Sequence, residues 1–218
     1  MRSSVLPKLL GLQEHELGRV WPFFSLYGLL FAVLTITDGL SIAFFADKLA
    51  PAQLPQLYAV LAVVSAGFLF VYLRLMRAFG HFGVFSFILA IIITCKLGFL
   101  FLPKKGVLYG SFLVAKEIGY IAVLMHFGNF LQEFFSRKDM VTILPLVYSG
   151  GRLGGIASAL TLEYLTPQAG IENIIIMNIA LTAAILLYLF VLPSFRVPKM
   201  DDETPKENSS TVLRQLWR

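Results

Sequence analysis

Mainly apolar stretches, each long enough to cross a lipid bilayer, recur along this chain and leave little length for anything else. A spanning helix needs about 20 such residues. Six segments qualify, at 20–45, 54–73, 82–102, 107–132, 140–165 and 171–193. The expected fold class is an all-α membrane protein with six transmembrane helices. Composition agrees. Hydrophobic residues make up 57% of the 218 and charged residues 14%, with a mean hydropathy of +0.77. A soluble domain carries about 25% charged residues. Pro51, Pro55, Pro103 and Pro167 fall where loops or helix starts are expected, and Pro145 is expected to bend the fifth span.

Three regions follow. Residues 1–19 form a cytoplasmic or interfacial segment, 20–193 the membrane bundle, and 194–218 a polar tail or linker. Within the first, Leu6, Leu9, Leu10 and Leu17 suit one side of a short interfacial helix. No cleavable signal peptide is expected, because Pro7 and Lys8 interrupt a short apolar run. Apolar character returns at Thr211–Arg218, as at the start of another amphipathic element, so the chain could be a piece of something longer.

Basic residues outside the spans fix an expected orientation. Twelve lie on the side of the termini, among them Arg19, Arg74, Arg77, Arg137 and Lys138. Three lie on the other, Lys48, Lys104 and Lys105. Lys and Arg collect in cytoplasmic loops, so both termini should be cytoplasmic. The same bias accounts for the pI near 9.4 without a nucleic-acid partner. The one cysteine, Cys95, excludes an internal disulfide and reads as a small core residue. His15, His81 and His126 are scattered and read as loop or packing residues. No metal or other cofactor is expected.

Five charged residues interrupt the apolar segments: Asp38, Lys96, Lys116, Glu117 and Arg152. A charge at bilayer depth costs about 2.5–3.5 kcal/mol even on insertion scales, so such residues face the bundle interior, pair, or line a path. At 1.5 Å per residue all five fall between the midplane and the outer half. The tight connection at Lys104 and Lys105 makes the third and fourth spans antiparallel neighbours, which lets Lys96 meet Glu117. The cluster sums to +1, which suits an anionic small-molecule substrate. The alternative is that all five pair and lock the bundle.

The fifth span contains SGGRLGG at 149–155. Gly150 with Gly154, and Gly151 with Gly155, are overlapping GxxxG pairs that let a neighbouring helix approach closely. Small neighbours leave the Arg152 guanidinium room to reach phosphate or carboxylate oxygens. Ser111, Tyr120, Asn129, Gln132 and Asn178 read as interhelical hydrogen-bonding residues.

The opening GLQEHELGRVWPFFSLYGLLFA, the TDGL of the first span and the block FGNFLQEFFSRKDMVTILPLVYSGGRLGG resemble the NTP/NDP exchange transporters. These are the bacterial and plastid ATP/ADP antiporter-like proteins of the major facilitator type. The resemblance covers about residues 11–193, and its most specific piece is 127–155. It implies twelve spans in two six-helix bundles, a central cavity and alternating access. This chain would supply one major-facilitator-like bundle, the amino-terminal half, in a bacterial inner membrane. Thr37 stands where family members often carry a basic residue before the aspartate retained here as Asp38. A further family cation is replaced near Thr142, and Arg152 adds one at a place usually small. A different anion, or a degenerate relative, therefore stays open beside nucleotide exchange.

The expected function is a secondary transporter, or half of one, for an anionic solute. Its second bundle would be another half or a second copy of this chain. The alternative is a non-transporting scaffold or sensor. An enzyme is not expected. Ser149 lacks the glycine two residues earlier that a rhomboid-like protease would place at Val147, and the sixth span has no histidine to act as base.

Overall fold

The structure is a computed structural model that describes residues 14–48, 53–101 and 106–192. Four helices account for nearly all of them: α1 (Glu14–Lys48), α2 (Leu54–Phe101), α3 (Gly106–Gln132) and α4 (Arg137–Val191). Each contains a segment long and apolar enough to cross a membrane. This corrects the expectation of six helices. The segments expected at 54–73 and 82–102 belong to one element, α2, and those at 140–165 and 171–193 to another, α4. The expected interfacial helix at 4–18 lies outside the described residues save where α1 begins at Glu14, and the polar tail at 194–218 lies wholly outside them. So do Pro51, Pro103, Lys104 and Lys105.

The two long helices are not straight rods. Leu57 of α2 lies 3.0 Å from where a Cβ on Gly110 would sit, and Phe99 of α2 packs on Phe112 with ring centroids 4.3 Å apart. Both ends of α2 thus meet the same turns of α3. A straight helix would hold residues 57 and 99 about 63 Å apart. The element doubles back at Gly80, whose φ of 66° and ψ of 179° break the helical path. In α4 the break is Gly170, with φ 76° and ψ 161°. Leu162, before it, meets Gly39 of α1, and Asn178, after it, bonds to Thr37. The non-helical backbone of α4 falls at Gly170 rather than at Pro145 or Pro167, which both lie within the helix.

One glycine replaces each expected connection because this φ/ψ region is open essentially to glycine alone. A side chain at Gly80 would meet no atom within 4 Å, so its cost there is backbone strain only. Gly80→Ala should therefore destabilise by about 1–3 kcal/mol. Thermal melting in detergent checks this, with Gly67→Ala, at an open helical position where alanine is the better helix former, as the control expected to melt no lower than the wild type.

Helix α4 begins after a short turn at 133–136. Ser136 caps it, its Oγ accepting from the Asp139 backbone N–H at 3.3 Å. Arg19 of α1 holds this turn by donating from Nη2 to the Phe134 carbonyl at 3.1 Å, with its guanidinium 5.5 Å from the Phe135 ring centre.

The contacts of α1 with the first arm of α4 run in parallel register, Gly150 on Phe24, Gly154 on Gly28 and Leu162 on Gly39. Two apolar clusters form the core. Phe23, Tyr27, Phe85, Phe127, Phe130 and Leu189 belong to the larger. Ile36, Leu40, Phe99, Tyr109 and Ile174 belong to the smaller. Along α1, α2 and α4, buried polar side chains fall between these two clusters: Thr37, Lys96, Asn178 and Thr182.

Candidate functional site

Lys116 of α3 is the centre of the charged residues. Its Nζ lies 2.6 Å from Asp38 Oδ1 of α1 and 2.7 Å from Glu117 Oε1. The Lys116 side chain is nearly buried, while about half of the Asp38 side chain and nearly a third of that of Glu117 are exposed. Charge-assisted bonds of this length are the stronger kind. The triad carries a net charge of −1 when all three groups are ionised, with its cation enclosed and its carboxylates nearer the surface.

Lys96 does not meet Glu117, contrary to the sequence reading. Adjacent residues of a helix point about 100° apart. The two long side chains nonetheless converge, and Lys96 turns the other way, towards α4. It is only 4% exposed and donates from Nζ to Thr182 Oγ1 at 3.0 Å.

Donor and acceptor roles along this chain of groups are fixed. Thr182 gives its own proton to the Asn178 carbonyl at 2.7 Å, so it accepts from Lys96. Thr37 gives its proton to the Val33 carbonyl at 2.7 Å, so it accepts from Asn178 Nδ2 at 2.9 Å. The buried Asn178 Oδ1 has no hydrogen-bond partner among the described residues. An ammonium has three protons to donate. Lys96 uses one, on a neutral hydroxyl, and has no carboxylate within ion-pair distance among the described residues.

Lys96 and Lys116 line one cavity of about 260 Å³ between α1, α2 and α3. Thr37 also reaches it, and Phe68, Ile88, Ile92 and Phe112 give it apolar walls. Phe68 precedes Gly80 and the other α2 residues follow it, so both arms of α2 contribute. A second, more open hollow of about 640 Å³ lies between α2 and α3 and shares Ala115 and Ile118 with the first. Its lining residues, Gln53, Gln56 and Ser111 among them, include no charged side chain.

Arg152 is outside this group. It is exposed on α4, in line with exposed Tyr148 and Ile156. Helical geometry requires this. Gly150 and Gly154 face α1, and a residue two positions from each lies about 200° round the helix. The four remaining charges, Asp38, Lys96, Lys116 and Glu117, sum to zero, which corrects the surplus of one that had included Arg152. Gly150 and Gly154 approach the α1 backbone directly, Gly151 lies against the Tyr27 ring, and a Cβ on Gly155 would stand 3.4 Å from Thr35 Oγ1.

The sequence reading missed Thr182 and gave Asn178 only a general bonding role. Their spacing of four places both on one face of a helix, and that was the available signal. It also left the histidines scattered, whereas two of them belong to one network. His126 Nε2 lies 2.8 Å from the His81 carbonyl and must donate to it, so Nδ1 accepts from Tyr72 Oη at 2.9 Å. Asn129 Nδ2 donates to the same Tyr72 oxygen at 3.3 Å. The His81 ring lies 3.4 Å from the Glu133 carboxylate. Burial raises the Glu133 pKa, and the His81 charge pulls against that rise. Tyr72→Phe leaves the buried His126 Nδ1 without its donor and should cost about 1–3 kcal/mol. A shift in the denaturation midpoint measures it, and an unshifted midpoint would remove the bond from the account.

Comparison with protein-family models, with characterised proteins and with solved structures returns no match.

Proposed function

We propose that this chain is one bundle of a secondary membrane transporter that binds an anionic solute in the cavity beside Lys96. A single observation carries the reading. Lys96 is almost wholly buried, lines a cavity, and has a hydroxyl as its only partner among the described residues. Burying an ammonium without a counter-charge is costly, and a bound anion would supply the missing charge. Lys116 already has two carboxylates, so it serves to hold α1 against α3 at the edge of the site.

Apolar helices long enough to span are compatible with an integral membrane protein. Cytoplasmic termini in a bacterial inner membrane follow from the Lys and Arg bias and from the family resemblance, which stay part of this proposal. Arg19 lies beside the 133–136 turn, to which His81 also reaches through Glu133. Arg74 and Arg77 come within two turns of the Gly80 bend. These groups therefore gather at one end, the end assigned to the cytoplasm.

A second bundle, from another half or a second copy, would complete a path for alternating access. The cavity of about 260 Å³ lies below the roughly 300–1,000 Å³ of ordinary ligand pockets. Its size favours a small anion over a nucleotide.

Solute counterflow tests the reading. The purified chain is reconstituted in vesicles loaded with unlabelled anions, one per preparation, spanning carboxylates, phosphate and nucleotides. Accelerated uptake of the matching labelled anion is expected for at least one small member. A flat response to every anion, with the protein folded, would favour the non-transporting scaffold.

A further inference from the structure

The chemistry of the cavity walls narrows the class of anion. Lys96 and Lys116 are the charged residues of the lining. The Lys116 ammonium is taken by Asp38 and Glu117, which leaves Lys96 without a counter-ion among the described residues. The rest is hydrocarbon and aromatic, with Phe68, Ile88, Ile92 and Phe112 facing the space. A multiply charged anion would bring charge that one ammonium cannot balance, and the two carboxylates beside Lys116 would repel it. A fully polar anion such as phosphate would face these walls with oxygens that find no donor, and buried polar groups without partners are costly.

We propose that the cavity takes a small, mainly apolar monocarboxylate, with its carboxylate on the Lys96 ammonium and its hydrocarbon body against Phe68, Ile88, Ile92 and Phe112. This rests on the reading of Lys96 as an anion site and adds the solute's class to it. One charge of each sign then cancels, and the apolar body displaces water from apolar walls. At about 25 cal/mol per Å² of buried apolar surface, the body supplies a substantial share of the affinity.

The chain carries its own reporter. Cys95 is its single cysteine, is exposed, and lines this same cavity beside Lys96. The test follows the rate at which N-ethylmaleimide labels Cys95 in the full chain held in lipid nanodiscs. Four probes of graded chemistry are added in turn: benzoate, benzyl alcohol as its neutral counterpart, inorganic phosphate and ATP. Benzoate should slow labelling at least fivefold and saturably, and the other three should change it less than twofold. Lys96→Gln should bring the ratio of its own labelling rates with and without benzoate to about one; the ratio is the readout because loss of the neighbouring ammonium also alters the thiol's basal reactivity.

Equal protection by benzyl alcohol would overturn the proposal, because the ammonium would then play no part. Protection by phosphate or ATP but not by benzoate would overturn the solute class while leaving the anion site standing. Protection by no anion, in a preparation that still performs counterflow, would place the site elsewhere. Protection by none and no counterflow would remove both readings. If Lys96→Gln fails to fold, the comparison of benzoate with benzyl alcohol on the wild-type chain decides by itself.

Discussion

Gly154→Val is expected to prevent the bundle from assembling rather than merely loosen it. A Cβ at this position would collide with the Gly28 carbonyl oxygen and lie 2.6 Å from its carbonyl carbon. The obstacle is backbone of α1, so no side-chain rotation relieves it. Overpacking a core where side chains can shift costs about 1–3 kcal/mol, and this site should exceed that range. Gly150 stands one turn away in the same contact, with a Cβ there 2.5 Å from the Phe24 carbonyl oxygen. The expected result is loss of the monodisperse peak in detergent chromatography. Recovery of Gly154→Val at wild-type yield and melting temperature would mean that α1 and α4 do not touch this closely.

The second large effect is expected at Lys116. Removing it leaves Asp38 and Glu117 near each other without their shared cation. Breaking a fully buried pair from one side costs about 3–5 kcal/mol, and exposed pairs are worth about 0–1 kcal/mol. With a nearly buried ammonium and partly exposed carboxylates, Lys116→Ala should cost about 1–3 kcal/mol, between these limits. Glu117→Gln should cost less, because Lys116 keeps Asp38. The double variant Lys116→Ala with Asp38→Ala should recover part of the loss, since it removes a stranded charge. Additive losses in that cycle would show that Asp38 and Lys116 do not interact.

The chemistry of the site was more legible in the sequence than its pairing. Charges within apolar runs stand out in any reading, and Asp38, Lys96, Lys116 and Glu117 do lie on neighbouring elements. Which charges meet depends on helix rotation, and depth along a span says nothing of rotation. Arg152 shows the point. Its depth suggested membership of the cluster, but the glycines that face α1 force it to the opposite side of α4. That inference needed only the 100° step per residue, applied to a motif already in view. Lys96 shows the converse. Its partner Thr182 lies 86 positions along the chain, and only the doubling back of α2 and α4 brings the two together.

The helix count was hidden for a different reason. Loops are sought through polar, proline-rich stretches, and Arg74, Arg77 and Pro167 marked such places. The backbone instead turns at one glycine within a continuous helical element. A glycine at positive φ looks like any other glycine in a sequence, and Gly67 and Gly128, which lack that conformation, have equally open surroundings.

The proposal that Lys96, buried and without a carboxylate partner among the described residues, binds the solute is tested most directly by counterflow, with Lys96→Ala beside the wild type and Gly67→Ala and with any anion that the wild type exchanges. Loss of a charge-assisted contact to a buried partner is worth about 2 kcal/mol or more, roughly thirtyfold in affinity at 1.4 kcal/mol per decade. The account predicts at least that loss of uptake, at limiting solute, for Lys96→Ala, with Gly67→Ala unchanged. Wild-type uptake by a folded Lys96→Ala protein would contradict it.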